Sequence, residues 1–191
     1  MKRSQLLHYL AGRIIETKRL HPIRVGIDGP DAAGKTTLAE ELVAPLQACG
    51  RTVIRASIDG FHNPARIRHV WGPASPEGYY HDSSNYPALA ESVLAPLGPG
   101  GSRRFCTAVF DYRTDLAVPI ETRLAEVNAI LLFDGVFLLR RELAAYWDFI
   151  IFVDASFDVT LARAEQRDAI SLGSVEEVRK RYEQRYRPGQ K

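Results

Sequence analysis

An α/β fold with a mainly parallel, doubly wound sheet is predicted by three features of the sequence. Short apolar runs alternate with helical patterns, a glycine-bearing loop joins the first run to the helix after it, and aspartates stand at the ends of four runs. Runs such as Ala129 to Phe133 (AILLF) and Phe149 to Val153 (FIIFV) are apolar throughout, as strands buried on both faces must be. The loop Gly29-Pro-Asp-Ala-Ala-Gly34-Lys35-Thr36 fits G-x-x-x-x-G-K-[ST], the phosphate-binding loop of the three-layer P-loop NTPases. In an open parallel sheet, functional residues gather at the carboxyl ends of the strands. Asp28, Asp59, Asp111 and Asp134 are expected there.

The elements follow in order. Leu6, Leu7, Leu10, Ile14 and Ile15 recur at helical spacing, predicting an amphipathic helix within residues 1–20. Ile23 to Asp28 reads as a strand. Thr36 to Cys49 reads as a helix closed by Gly50, with Pro45 expected to kink it or end it early. Thr52 to Ile58 is a second strand. Residues 60–85, rich in Pro, Gly, His and Tyr, are too long for an idle connection and are read as a substrate-side loop. A helix is expected over 87–97, strands over 104–110, 129–133 and 149–153, and helices over 157–168 and 175–186. The last is opened by a capping box, Ser174-x-x-Glu177. With 191 residues and no internal repeat, the sequence predicts a single domain over 1–191.

A net charge of +2 is too small to make nucleic acid or a membrane surface the expected partner. No window approaches the ~20 apolar residues of a membrane span, and the start lacks a signal-peptide core. Cys49 and Cys106 are too few for a disulfide framework or a zinc site, which points to a reducing compartment and a cytoplasmic setting.

The phosphate loop makes specific demands. Gly29 and Gly34 let the backbone curl so that the N–H groups of Asp31, Ala32, Ala33, Gly34, Lys35, Thr36 and Thr37 face phosphate oxygens. Lys35 is expected on the β- and γ-phosphates of ATP or another nucleoside triphosphate, and the Thr36 hydroxyl on Mg²⁺. Asp134 has the position of a second magnesium-binding group, its alternative being a helix cap. Asp59 can face the γ-phosphate and take a proton from a substrate hydroxyl, or can simply form an Asp-Gly turn. Arg163 and Arg167 are four apart and share a helix face, which supplies charge to a transferring phosphoryl group or only faces solvent. Tyr79, Tyr80 and Trp71 can line a ring-binding pocket or pack the loop.

The segments GIDGPDAAGKTTLA, SIDGFHNP, SPEGYYHDSSNYPAL, ILLFDGVFLL and FVDASFDVTLARAEQRD together resemble the uridine kinase and phosphoribulokinase family of P-loop kinases, on its bacterial uridine-kinase-like branch. The resemblance spans nearly the whole chain and implies a nucleoside/nucleotide-kinase-like fold and transfer of the ATP γ-phosphate to a small-molecule hydroxyl, foremost that of a pyrimidine nucleoside such as uridine. It implies Asp59 as catalytic acid/base, with Lys35, Arg163 and Arg167 supporting the transfer. The acceptor is expected on Asp59, His62, Tyr79 and Asp82, and Mg²⁺ on Thr36 and Asp134. Residues 163–175 take the place of the family's lid. Departures from the pattern are Asp134 in place of Glu, Ser84-Asn85 in place of Phe-Asp, and a segment from Phe110 to Asp115 without the family's His. Similar sequences continue past the lid into another strand, whereas this one ends at Lys191. Pantothenate or a sugar remains open as acceptor, as do assembly into a homo-oligomer, a nucleotide-binding switch and an inactive binding module. A switch reading GTP would need an N/T-K-x-D segment, which the sequence lacks.

Overall fold

The computed structural model describes residues 1–191. Its centre is a sheet of four parallel strands, β1 (Ile23–Asp28), β2 (Val53–Ser57), β3 (Ile130–Asp134) and β4 (Phe149–Phe152), in the order β2-β3-β1-β4. Side chains along a strand point to alternate faces, and β3 shows the consequence directly. Ile130 and Leu132 enter a core with Ile14, Leu38, Leu42 and Leu46, while Leu131 and Phe133 enter another with Phe61, Leu89, Val93 and Leu97. Two apolar cores back to back make three layers. Helices α1 (Arg3–Glu16) and α2 (Lys35–Ala48) cover the first face. The second is covered by α4 (Tyr86–Leu89), which continues as a π-helical turn to Leu94.

The helix expected to falter at Pro45 runs on to Ala48. A proline there removes one hydrogen bond close to the helix end, and the burial of Leu42 and Leu46 against the sheet holds the last turn in place. The strand expected over 104–110 does not form as one piece. Arg104–Phe105 pairs antiparallel with Arg123–Leu124, and Phe110–Asp111 with Leu116–Ala117. Between them the backbone is engaged elsewhere, Cys106 N–H donating to the Ser92 carbonyl (3.1 Å) and Val109 N–H to that of Gly60 (2.8 Å).

The long loop folds into short helical pieces. A 3-10 turn at Ile58–Phe61 follows β2, a helical turn spans Ala65–Arg68, and α3 (Pro76–Asp82) begins at Ser75, whose hydroxyl accepts from Gly78 N–H at 3.0 Å. The start of the loop is stitched to its end, Asn63 N–H donating to Ser83 (3.0 Å) and Asn85 N–H to Phe61 (2.7 Å). After β4, α5 (Phe157–Leu172) stops at Gly173, whose φ of 95° suits a residue without a side chain. Then α6 (Val175–Arg181) starts at Ser174, capped through Glu177 N–H at 3.2 Å, and passes into a π-helical turn at Tyr182–Tyr186. No helix is long and apolar enough to cross a membrane.

Candidate active site

The loop after β1 is shaped by positive φ at Gly29 (144°), Ala32 (57°) and Gly34 (98°). A side chain at Gly29 would collide with the Val153 carbonyl, so β4 packs on the loop only because that position is bare. Buried Asp28 fixes the turn from below, its carboxylate accepting from Gly29 N–H (2.7 Å) and Leu139 N–H (2.8 Å). Burial raises its pKa against the opposing pull of those two N–H groups and of Lys35.

Helix α2 starts at Lys35, so its free N–H groups join those of the loop around one space, a site built for an anion. Lys35 is only 8% exposed, and its ammonium donates to the carbonyls of Gly29 (3.0 Å) and Pro30 (2.6 Å). Burial lowers its pKa, while Asp31, Asp28, Asp134 and Asp59 pull the other way. One residue on, the Thr36 hydroxyl donates to Asp134 Oδ2 at 2.7 Å. Ser57 donates to the same oxygen at 3.3 Å, and Arg55 holds Oδ1 at 2.8 Å. A hydroxyl beside a carboxylate oxygen is the hard-oxygen pair that Mg²⁺ takes when water and phosphate oxygens complete its shell, so these residues fit the ion.

Across the space stands Asp59, its side chain 64% exposed at the mouth of the cleft, with His62 Nε2 3.5 Å from its carboxylate. The cleft walls remove part of its hydration and push its pKa up. His62, Lys35 and Arg167 together outweigh that effect and leave it below the ordinary value. His62 Nδ1 lies 2.8 Å from the Ser83 carbonyl. A carbonyl can only accept, so Nδ1 donates to Ser83 and Nε2 is the nitrogen turned to Asp59. From α5, Arg163 donates to the Ala33 carbonyl at 3.0 Å. Arg167 is held by Asp168 at 2.6 and 2.8 Å and approaches Asp31 at 3.7 Å.

One cleft of about 1230 Å³ takes in the loop from Asp31 to Thr37, with Asp59, His62, Tyr79, Asp134, Arg163 and Arg167. Most of the residues expected at the site from the sequence therefore face one space. Gly29 lies beneath the loop. Asp82 does not line the cleft, which has Ser83 and Ser84 there instead. Its Oδ2 is buried without a hydrogen-bond partner, and its carbonyl accepts from the Asn63 amide at 3.0 Å. Tyr79 forms wall, packed against Phe137 (5.1 Å) and Tyr186 (4.9 Å), with burial pushing its hydroxyl pKa well up. Tyr80 packs on Phe137, and Trp71 lies 70% exposed outside the cleft.

Four groups were missed from sequence: Arg55 and Ser57 on Asp134, and Tyr112 and Arg113 in the cleft wall. A lone arginine inside the apolar strand sequence VIRAS was the available signal, because a charge there needs a counterion.

With the geometry in view, the chain can be set beside known proteins. The sequence profile of the Phosphoribulokinase / Uridine kinase family matches residues 24–189. Uridine-cytidine kinase B of Dictyostelium discoideum is 29% identical over 170 residues, covering 88% of this chain and 68% of that protein. Uridine kinase of Saccharomyces cerevisiae is 28% identical over 158 residues, covering 80% of this chain but only 30% of the yeast protein. Among solved structures, a Silicibacter chain described as a candidate fructose transport system kinase superposes with a TM-score of 0.79 at 22% identity. The match covers 96% of this chain and 91% of that one and shows a shared fold.

Proposed function

The chain belongs to the phosphoribulokinase / uridine kinase family, and on that premise we propose that it transfers the γ-phosphate of ATP, or of another nucleoside triphosphate, to a hydroxyl of a small molecule. The leading acceptor is a pyrimidine nucleoside such as uridine, after the relatives in Dictyostelium and yeast. The observation that carries the reading is the single cleft in which the phosphate loop, the Thr36–Asp134 pair and Asp59 face one another.

Lys35 gives up its two carbonyl contacts and turns to the β- and γ-phosphates, where a charge-assisted bond is stronger. Thr36 and Asp134 would hold Mg²⁺, which would supply charge neutralisation to the phosphates. Asp59, its pKa below the usual value, is ionised at neutral pH and orients the acceptor hydroxyl until it takes the proton. Arg163 and Arg167 stabilise the charge that develops on the moving group. His62, Ser83, Ser84 and Tyr112 offer the acceptor polar and aromatic contacts.

A sugar is the second reading, favoured by Ser84, which presents a hydroxyl to the cleft where similar sequences have Phe, so a base loses a stacking partner at that position. The test is phosphoryl transfer from Mg-ATP to uridine, cytidine, pantothenate and fructose, with Lys35→Ala in parallel. Removing the ammonium costs about 1.5–3 kcal/mol at the phosphates. Turnover of the accepted substrate is expected to drop at least about ten-fold while the fold is kept. Wild-type turnover in Lys35→Ala would refute the phosphate-loop assignment.

A further inference from the structure

A second cavity, of about 150 Å³, opens beside the cleft between the helical turn at Ala65–Arg68 and the C-terminal turn Tyr182–Tyr186. Its lining is Arg68, His69, Pro73, Arg181, Arg185 and Tyr186, with three guanidinium groups and no carboxylate. Arg181 and Tyr186 also line the main cleft, so the two spaces share a wall.

The arginines of this cavity are under-paired. Arg185 is 7% exposed and forms no salt bridge. One Nη donates to the Pro73 carbonyl, the other reaches the Ser83 hydroxyl at 3.5 Å, and Nε is buried with no partner. Arg68 has a carboxylate on one side only, Asp115 at 3.0 Å, and its Nε is likewise buried and unpartnered. Arg181 stands exposed at the rim, also without a salt bridge. A buried guanidinium with an idle N–H is unfavourable unless an anion completes it. The volume equals about five waters at ~30 Å³ each, room for a tetrahedral oxyanion, and guanidinium forks match phosphate and carboxylate oxygens. The other buried arginines of the fold, Arg24 on Asp148 and Arg140 on Glu142, have their carboxylates within the chain.

We propose that this cavity is an anion subsite in which Arg68, Arg181 and Arg185 hold a phosphate or carboxylate group. Because Arg185 touches Ser83, which lines the cleft, the anion arrives either as part of the acceptor alcohol or as a free ion beside it. The two sources share one chemistry.

His69 at the rim provides a readout. Burial, and then Arg185, Arg68 and Arg181, lower its pKa, with Asp115 opposing them. An anion among the arginines cancels their repulsion and raises that pKa. The experiment titrates inorganic phosphate into the whole chain, with Mg²⁺ and a non-hydrolysable ATP analogue filling the phosphate loop, and follows the His69 ring by NMR, assigned through His69→Gln. The expected result is a saturable rise in the His69 pKa, with phosphate affinity weakened at least about ten-fold in Arg181→Gln and in Arg68→Gln. Arg185→Gln also removes packing from Tyr79, so the two other variants carry the test. A His69 ring indifferent to phosphate, or variants that keep wild-type phosphate affinity, overturns the proposal. Binding is read without turnover, so the subsite and the kinase reading fail separately. A KM for a phosphorylated or carboxylated alcohol that rises in Arg181→Gln, with that for uridine unchanged, places the anion on the acceptor. A phosphate effect on uridine turnover that is lost in Arg181→Gln identifies a free ion, and either result supports the site.

Discussion

Asp134 and Asp59 are carboxylates in the same cleft with opposite circumstances. Asp134 is 3% exposed, with both oxygens engaged, one by Arg55 and the other by two hydroxyls. It is held in one position. Asp59 is open to solvent and touches only His62, so it is free to meet a substrate. Asp59→Asn keeps the shape and removes the charge. Turnover is expected to fall about 10²–10⁴-fold, the usual worth of a general base. Mg-ATP affinity should change by less than about ten-fold, since the phosphates rest on the loop. Steady-state kinetics and a nucleotide titration on this variant check both. Turnover near wild type would reduce Asp59 to a turn residue, which Asn replaces well. The contact residues were unequally legible in the sequence. Gly29 to Thr37 is read at once because the motif is local, the backbone and side chains of one loop binding one group. Arg55 was not, because its partner lies 79 residues away and nothing local names it.

Helix α5 carries Arg163 and Arg167, ends at Gly173, and is joined to α6 by a small cluster of three buried residues, Ala164, Val178 and Tyr182. So little buried apolar surface leaves this pair of helices among the weaker parts of the fold. Arg167 meanwhile rests on Asp168, a contact it would exchange for a phosphate on the proposed reading. We therefore expect residues 163–175 to act as a lid. Amide hydrogen exchange across them should slow when an ATP analogue and Mg²⁺ are added. Unchanged exchange with nucleotide bound would leave these arginines as surface charges. The strands of the sheet were readable because burial on both faces forces an apolar run. The stretch 104–110 misled for the opposite reason. Its aromatic and β-branched residues suit a strand, but its backbone donors are claimed by Ser92 and Gly60, residues that only tertiary folding brings near.

At the scale of the molecule, the layers are bolted together through one buried ion pair. Arg24 of β1 meets Asp148, just before β4, at 3.0 Å, and also donates to the Leu94 carbonyl of the opposite layer at 3.1 Å. Burial raises the Asp148 pKa, but Arg24 and Arg19 outweigh it and hold it below the ordinary 3.8. A carboxylate depressed in the folded state contributes stability that is present above 3.8 and lost as pH falls through its folded pKa. Asp148→Asn should cost about 3–5 kcal/mol at neutral pH, because Arg24 is left buried and unpaired. The gap from wild type should narrow only in acid below 3.8. Urea unfolding at neutral and acid pH measures both, and a pH-independent gap would sink the ion-pair account. The sequence did not announce this pair, since its two members lie 124 residues apart. A second long-range link runs from the phosphate loop to Tyr79. Asp31 of the phosphate loop accepts from the Tyr182 hydroxyl at 3.0 Å and donates its N–H to Gln190 at 3.4 Å, and Gln190 donates to the Tyr79 hydroxyl at 3.0 Å. With nucleotide at the loop and acceptor beside Tyr79, as proposed above, a shift of Asp31 is expected to reach Tyr79 through these hydrogen bonds. Thermodynamic reciprocity then applies: the factor by which nucleotide changes the affinity for the acceptor equals the factor by which the acceptor changes the affinity for nucleotide. Two titrations, run in opposite order, measure one cooperativity constant.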